Sequence, residues 1–302
     1  MNATLTREPL PLARLWLFLT LGVFAVGFSA ILIRWSQAPS LVSAFGRVSF
    51  ALVLLLPIWF SRERRQTIRK LTGGDQWALA ISGFCLGIHF WSWFASLNYT
   101  SVAASVLLVT TNPIWVGLLS PFLVGRRLSR QAWVGIGVAT LGGIWIALDA
   151  GGKAPTPNPL LGNGLALLGS IAASGYILMG RRVRPHLDLW SYAFCTLLGA
   201  WVTMGIALLG SGQSIVFHFQ QEWWIFLTMA AVPQLIGHNS INWSLRYISA
   251  DMVAVILLCE PVASALYAWW LLSEPLTLRL LLGALLLLAG VALVIRRASP
   301  AE

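Results

Sequence analysis

The stretch YISADMVAVILLCEPVASALYAWWLLSE, Tyr247 to Glu274, is apolar along most of its length, with Glu260-Pro261 near its middle and Glu274-Pro275 at its exit. A carboxylate beside a helix-breaking proline, inside about 20 apolar residues, is costly in a bilayer and needs a reason. A diverged copy lies in the first half: YTSVAASVLLVTTNPIWVGLLSPFLVGR, Tyr99 to Arg126. Tyr99 pairs with Tyr247, Ser101 with Ser249 and Pro113 with Pro261, each 148 residues apart. The offset continues outward: Arg34 with Arg182, Ser43 with Ser191, Ser96-Leu97 with Ser244-Leu245, Gly135 with Gly283 and Gly142 with Gly290. The chain is a gapless duplication.

Composition sets the solvent. Of 302 residues, 58% are hydrophobic and 10% charged, with a mean hydropathy of +0.78. Soluble proteins carry about 25% charged residues, so the lipid bilayer is the expected partner. The net charge of +10 is scattered in short clusters between apolar runs, without the continuous basic face that nucleic acid requires. Cys85, Cys195 and Cys259 all fall inside apolar spans without CxxC or metal-like spacing, which suits inert buried thiols. The first apolar run, Leu15–Ile33, holds 19 residues without a charge and lacks an A-x-A exit. It reads as a span rather than a cleaved signal.

Apolar runs predict ten spans, at 15–33, 40–60, 77–96, 102–124, 131–148, 161–180, 189–209, 224–245, 252–272 and 276–295. With the N-terminus inside, sixteen Lys and Arg residues fall in cytoplasmic segments and three (Arg34, Lys153, Arg279) outside, while Arg47 lies within span 2. That bias predicts both termini in the cytoplasm. Five spans per repeat is an odd number, so the two halves insert in opposite directions. Inverted repeats are characteristic of alternating-access transporters with a site near the midplane. The expected organisation is a cytoplasmic segment 1–14, a first repeat 15–148, a periplasmic linker 149–160, a second repeat 161–296 and a tail 297–302.

The L-C-E-P stretch at 258–261, the L-L-S-E-P turn at 271–275 and G-A-L-L-L-L-A-G at 283–290 resemble the drug/metabolite transporter superfamily in its ten-helix EamA-type form. Asn112-Pro113 and G-I-G-V-A-T-L-G-G at 135–143 match the same pattern in the first half. The resemblance implies an exporter of small metabolites, often amino acids or drugs, in the bacterial inner membrane. Two features depart from it. Gly125-Arg126 stands where such proteins often repeat a Gly/Ser-Glu turn, and span 1 lacks the proton-coupling glutamate of the four-helix multidrug exporters.

Few ionisable residues sit well within spans: Arg47, His89, His238 and Glu260. A charge at a helix centre costs roughly 2.5–3.5 kcal/mol on insertion scales, which makes each a functional candidate. Glu260 reads either as a cavity carboxylate for protons or a substrate ammonium, or as a structural acid paired with Arg47. Pro261 frees the Leu257 carbonyl beside it. Arg47 reads as a clamp for a substrate carboxylate, as a counter-charge to Glu260, or as an arginine snorkelling to the outer interface. Gln234, His238 and Asn242 fall at i, i+4 and i+8, and with Asn239 they form either a hydrogen-bonding wall for a polar solute or interhelical contacts. His89 and Trp93 at i, i+4, with Trp91 and Trp115, offer an aromatic wall. Most of the 16 tryptophans suit interfacial belts and packing instead. Asn112 holds the place in the first repeat that Glu260 holds in the second. Ser273-Glu274-Pro275 reads as a helix start rather than a binding site.

Gly135, Gly137, Gly283 and Gly290 suit close helix contact, either in a homodimer or within a monomer. No nucleotide motif or metal cluster appears, so no cofactor is expected and protons are the candidate drive. The alternative is an intramembrane enzyme acting on a lipid or small molecule, but no G-x-S-x-G, H-E-x-x-H or paired aspartates support it.

Overall fold

The computed structural model describes residues 12–100, 102–123, 125, 127–150, 158–214, 216–272 and 278–295. Among the described residues all regular structure is helical. The helices are α1 (Leu12–Gly27), α2 (Ser29–Trp35), α3 (Ser40–Trp59), α4 (Arg62–Arg69), α5 (Gly73–Ser96), α6 (Val102–Val109), α7 (Asn112–Leu123) and α8 (Arg130–Ala150). They continue as α9 (Pro159–Val183), α10 (Leu189–Ser211), α11 (Val216–Met229), a π-helix (Ala230–His238), α12 (Asn239–Ser244), α13 (Ala250–Leu257), α14 (Glu260–Leu272) and α15 (Leu278–Ile295).

Six stretches of the described chain are long and apolar enough to cross a membrane: Ala13–Trp35, Ser40–Trp59, Gly73–Ser96, Pro159–Val183, Leu189–Ser211 and Ala250–Leu271. Trp77, near the start of α5, and Trp145, in the last two turns of α8, are exposed, as an interfacial belt requires. The Ser273–Pro275 helix start, Arg126 and Lys153 lie outside the described residues.

The sequence offset of 148 reappears in the helix boundaries. Added to the first residues of α6, α7 and α8 (Val102, Asn112, Arg130), it gives the first residues of α13, α14 and α15 (Ala250, Glu260, Leu278). Two expected spans are broken at equivalent places, at Thr110-Thr111 and at Leu258-Cys259. Each break precedes a helix whose second residue is proline, Pro113 or Pro261. Proline has no N–H to donate to the carbonyl four residues earlier, and those carbonyls belong to Val109 and Leu257. The chain between them tightens into short-range bonds: Thr111 N–H to the Leu108 carbonyl at 3.3 Å, and Leu258 N–H to the Val255 carbonyl at 3.1 Å.

Packing partners recur in the same way. α5 packs on α9, and its counterpart α11–π–α12 packs on α1 through the π-helix and α12. α7 packs on α9 while α14 packs on α1. The long contact between α8 and α15 is its own counterpart. A Cβ on Gly142 would lie 2.4 Å from the Leu287 amide nitrogen, and one on Gly290 would lie 2.3 Å from the Ala139 amide nitrogen. Ala139 and Leu287 are themselves 148 residues apart. The small residues thus join two helices of one molecule, backbone against backbone.

Two buried carboxylates tie helix ends together. Near the start of α5, Asp75 meets Arg182 at 3.6 Å and His186 at 3.5 Å, just beyond the middle of the last turn of α9 and after it. In α11, Glu222 accepts the Ser36 hydroxyl and, at 2.9 Å, the Gln37 amide that follow α2. The two carboxylates occupy equivalent places in the two halves to within one residue, and their partners to within two.

Replacing Gly290 by leucine forces α15 off α8 and is expected to destabilise the protein by about 1–3 kcal/mol or more. Gly137→Ala, where an added Cβ meets nothing within 4 Å, should be nearly neutral. Thermal unfolding of the purified proteins in detergent checks the contrast, and equal midpoints would refute the close-contact account.

Candidate functional site

A cavity of about 40 Å³, room for a few water molecules, lies between the two helix breaks. Val109, Thr110 and Asn112 line it from the first break, and Leu257 and Glu260 from the second. α5 contributes His89 and Trp93, α9 contributes Tyr176 and Ile177, and the π-helix contributes His238. Both prolines act here: Asn112 and Glu260 begin α7 and α14, so two half-helix N-termini face one space. Each adds the partial positive charge of unpaired N–H groups.

The lining is polar in an unusual way. Trp93 is 3% exposed, Asn112 6% and His238 8%, yet Trp93 Nε1, Asn112 Oδ1 and His238 Nδ1 have no hydrogen-bond partner. Buried polar groups are nearly always paired, and each exception costs about 1–3 kcal/mol. Three orphans around one cavity are suited to a polar solute or water. The Glu260 carboxylate also accepts no hydrogen bond among the described residues. His89 lies parallel to Trp93, with ring centroids 5.9 Å apart. Its Nδ1 is 3.0 Å from the Gly169 carbonyl. A carbonyl only accepts, so Nδ1 carries the proton and Nε2 of the neutral ring is an acceptor.

The polar stripe of the eighth expected span divides by partner. All of Gln234, His238, Asn239 and Asn242 are buried, but only His238 lines the cavity. Gln234 Oε1 accepts from Arg47 Nε at 3.1 Å. Asn242 Oδ1 accepts the Tyr176 hydroxyl. Both side-chain amide atoms of Asn239 are unpartnered, away from the cavity lining. The π-helix is the local reason: its wider turn re-aims side chains relative to an α-helix, and such turns concentrate at functional sites. Pro233, inside that segment, is the sequence signal for it.

Arg47 is 0% exposed and does not snorkel to either interface. Nη1 donates to Ser29 Oγ at 3.2 Å, and the guanidinium carbon sits 4.3 Å from the Phe90 ring centroid. No ion pair of 4.0 Å or closer joins it to Glu260 or to any other described carboxylate. Its Nη2 is unpartnered.

Tyr176, Thr110, Phe90 and Ser29 were not singled out by sequence reasoning. Tyr176 alone left a trace, as the one aromatic residue among the small residues Ala172-Ala173-Ser174-Gly175.

A multi-helix membrane protein with a largely apolar cavity that carries a few unpaired polar groups at broken helices has the character of a small-molecule carrier. The comparisons agree. The model of the EamA-like transporter family matches residues 14–148 and again 160–296, and the chain belongs to that family. It is 24% identical over 270 residues to the uncharacterized transporter YetK of Bacillus subtilis, covering 87% of this chain and 81% of that one. It is 27% identical over 295 residues to the uncharacterized protein PA1977 of Pseudomonas aeruginosa, covering 95% and 96%. A solved crystal structure at 17% identity superposes with a TM-score of 0.76 over 95% of this chain and 98% of the other, a likeness of fold alone. The family and the relative YetK carry the name of transporters, and the protein is a multi-pass membrane transporter.

Tyr176→Phe strands the Asn242 amide oxygen without its donor. The expected cost is about 1–3 kcal/mol, read as a lower unfolding midpoint in detergent. An unchanged midpoint would show that the hydroxyl carries no structural weight.

Proposed function

We propose that the chain is a ten-span inner-membrane exporter of small metabolites, amino acids or amphipathic drugs, built from two inverted five-helix repeats at 15–148 and 161–296. Both termini lie in the cytoplasm. The single observation that carries the reading is the pair of proline-linked helix breaks, 148 residues apart, that line one cavity with Asn112 and Glu260 in equivalent places. Irregular backbone at membrane depth is tolerated where it is buried in protein or lines a cavity, and discontinuous helices form the solute sites of inverted-repeat carriers.

The mechanism follows from that symmetry. α6–α7 and α13–α14 each count as one interrupted span, as does α11–π–α12, which together with the remaining long helices gives ten. The two repeats rock about the cavity, with the α8–α15 contact joining them. The ties at Asp75 and Glu222 then fall on opposite membrane faces. Proton exchange drives transport, and Glu260 is the group that carries the proton. Asn112 cannot do so, and the two halves of the cavity are therefore chemically unequal.

Glu260→Gln is nearly isosteric and removes the ionisation. In proteoliposomes, an imposed pH gradient is expected to drive solute flux through the wild type, while flux through the inserted, folded variant falls to background. A variant that still transports at the wild-type rate would remove Glu260 from the mechanism, and flux indifferent to the gradient would remove proton coupling. Topology is checked separately. Fusions of a cytoplasm-active fluorescent reporter at residue 302 should be bright, and fusions of a periplasm-active phosphatase near residue 155 active; the converse pattern would overturn the orientation.

A further inference from the structure

The Arg47 guanidinium sits beside the cavity, against residues on α2, α5 and the π-helix that are close in sequence to its lining. Its partners are Ser29, Phe90 and Gln234. The lining residues close to them in sequence are Val26, His89 and His238. Ser29 lies three residues after Val26, Phe90 follows His89, and Gln234 lies four before His238. Phe90 also touches His238 edge-on, with ring centroids 5.3 Å apart. Under the orientation above, this side is the outer end of the cavity, and a solute leaving outward must pass it.

The state of this cation is unusual. It is wholly buried, held by two neutral oxygens and an aromatic face, and no described carboxylate lies within ion-pair distance. One nitrogen, Nη2, has no partner at all. A buried charge without a contacting counter-ion is strongly unfavourable, and here Glu260 attracts it through space but not by contact. Arg47 is enclosed and lies outside the cavity lining in this conformation; because Nη1 is held only by the Ser29 hydroxyl, parting of the repeats frees the Nη1–Nη2 edge for a carboxylate at the cost of one neutral bond. Paired donation of that kind is the geometry in which arginine binds carboxylates best.

We propose that Arg47 is the specificity-determining cation of the site, so that the transported solute carries a carboxylate, alone or as one end of a zwitterion. The inference rests on the transporter reading and deepens it. An ammonium at the other end of a zwitterion has acceptors in Glu260 and Asn112. A solute without a carboxylate leaves the guanidinium edge unpaired and is discriminated against for that reason.

The test uses the purified full-length protein in detergent and measures thermal stabilisation by a fixed panel. The panel comprises the twenty common amino acids, straight-chain and phenyl-substituted monocarboxylates, and the matching amines, including phenethylamine. One or more carboxylates are expected to raise the wild-type midpoint by about 2–4 °C at saturating concentration. Arg47→Gln should weaken that binding by about tenfold or more, the loss expected for a charged hydrogen bond, and Arg47→Lys should retain part of it. Ser29→Ala supplies a check that does not depend on the arginine variants folding. Removing the competing hydroxyl leaves Nη1 for the ligand, so the carboxylate-induced shift should grow. The proposal is overturned if no carboxylate in the panel stabilises the wild type, if Arg47→Gln responds as the wild type does, or if Ser29→Ala leaves the shift unchanged. Stabilisation by phenethylamine alone, abolished by Glu260→Gln, would discard the carboxylate while leaving the cavity and its transport role standing.

Discussion

A bilayer offers no water to a backbone carbonyl that has lost its helical partner, and this chain strands two of them. Pro113 and Pro261 deprive Val109 and Leu257 of their bonds at equivalent places in the two copies. Such breaks are tolerable only if protein closes around them, so the helices on either side must pack to leave a shared, protected space. The glycine contacts of α8 and α15 and the paired packing of α5 on α9 and α1 on the π-helix hold that enclosure. The cavity is thus a consequence of the breaks, and its polar lining follows from the residues placed next to them.

Charge in this molecule is divided by depth. Asp75, near the start of α5, and Glu222, in α11, are fully engaged by neighbouring side chains and amides. In the interior, Arg47 and Glu260 are each left without a direct ionic partner. A mutual ion pair would neutralise both and give a stable, inert core. Keeping them apart costs stability and keeps both groups available, as a site that must bind and release a solute requires. The unpartnered polar atoms of Trp93, Asn112 and His238 fit the same account.

Where side-chain identity and spacing carry the information, the chain was legible. The duplication, six of the ten expected apolar spans and the candidate status of Glu260, Asn112, His89, Trp93 and His238 all came from residue type and offset, and these five line one cavity. Spacing alone misjudged the eighth span. An i, i+4, i+8 pattern treats Gln234, His238 and Asn242 as one wall, but the π-helix and the identity of the facing helices give the three side chains different partners. The roles of Tyr176, Phe90 and Ser29 were not legible either, because none is costly in a membrane and so none stands out from its neighbours.

The sequence by itself determined that the chain lives in a membrane, that it is two copies of one unit and that each copy carries a proline beside a polar residue at the matching place. Those properties follow from local chemistry: transfer free energy, the missing proline N–H, and identity at a fixed offset. Only the tertiary structure decided which polar groups remain unpaired. Whether Arg47 meets Glu260, reaches an interface or lies over Phe90 depends on the relative rotation and depth of α3, α5, α14 and the π-helix. Those are set by close packing of small residues between helices, a sum of many weak contacts that no single position in the sequence records.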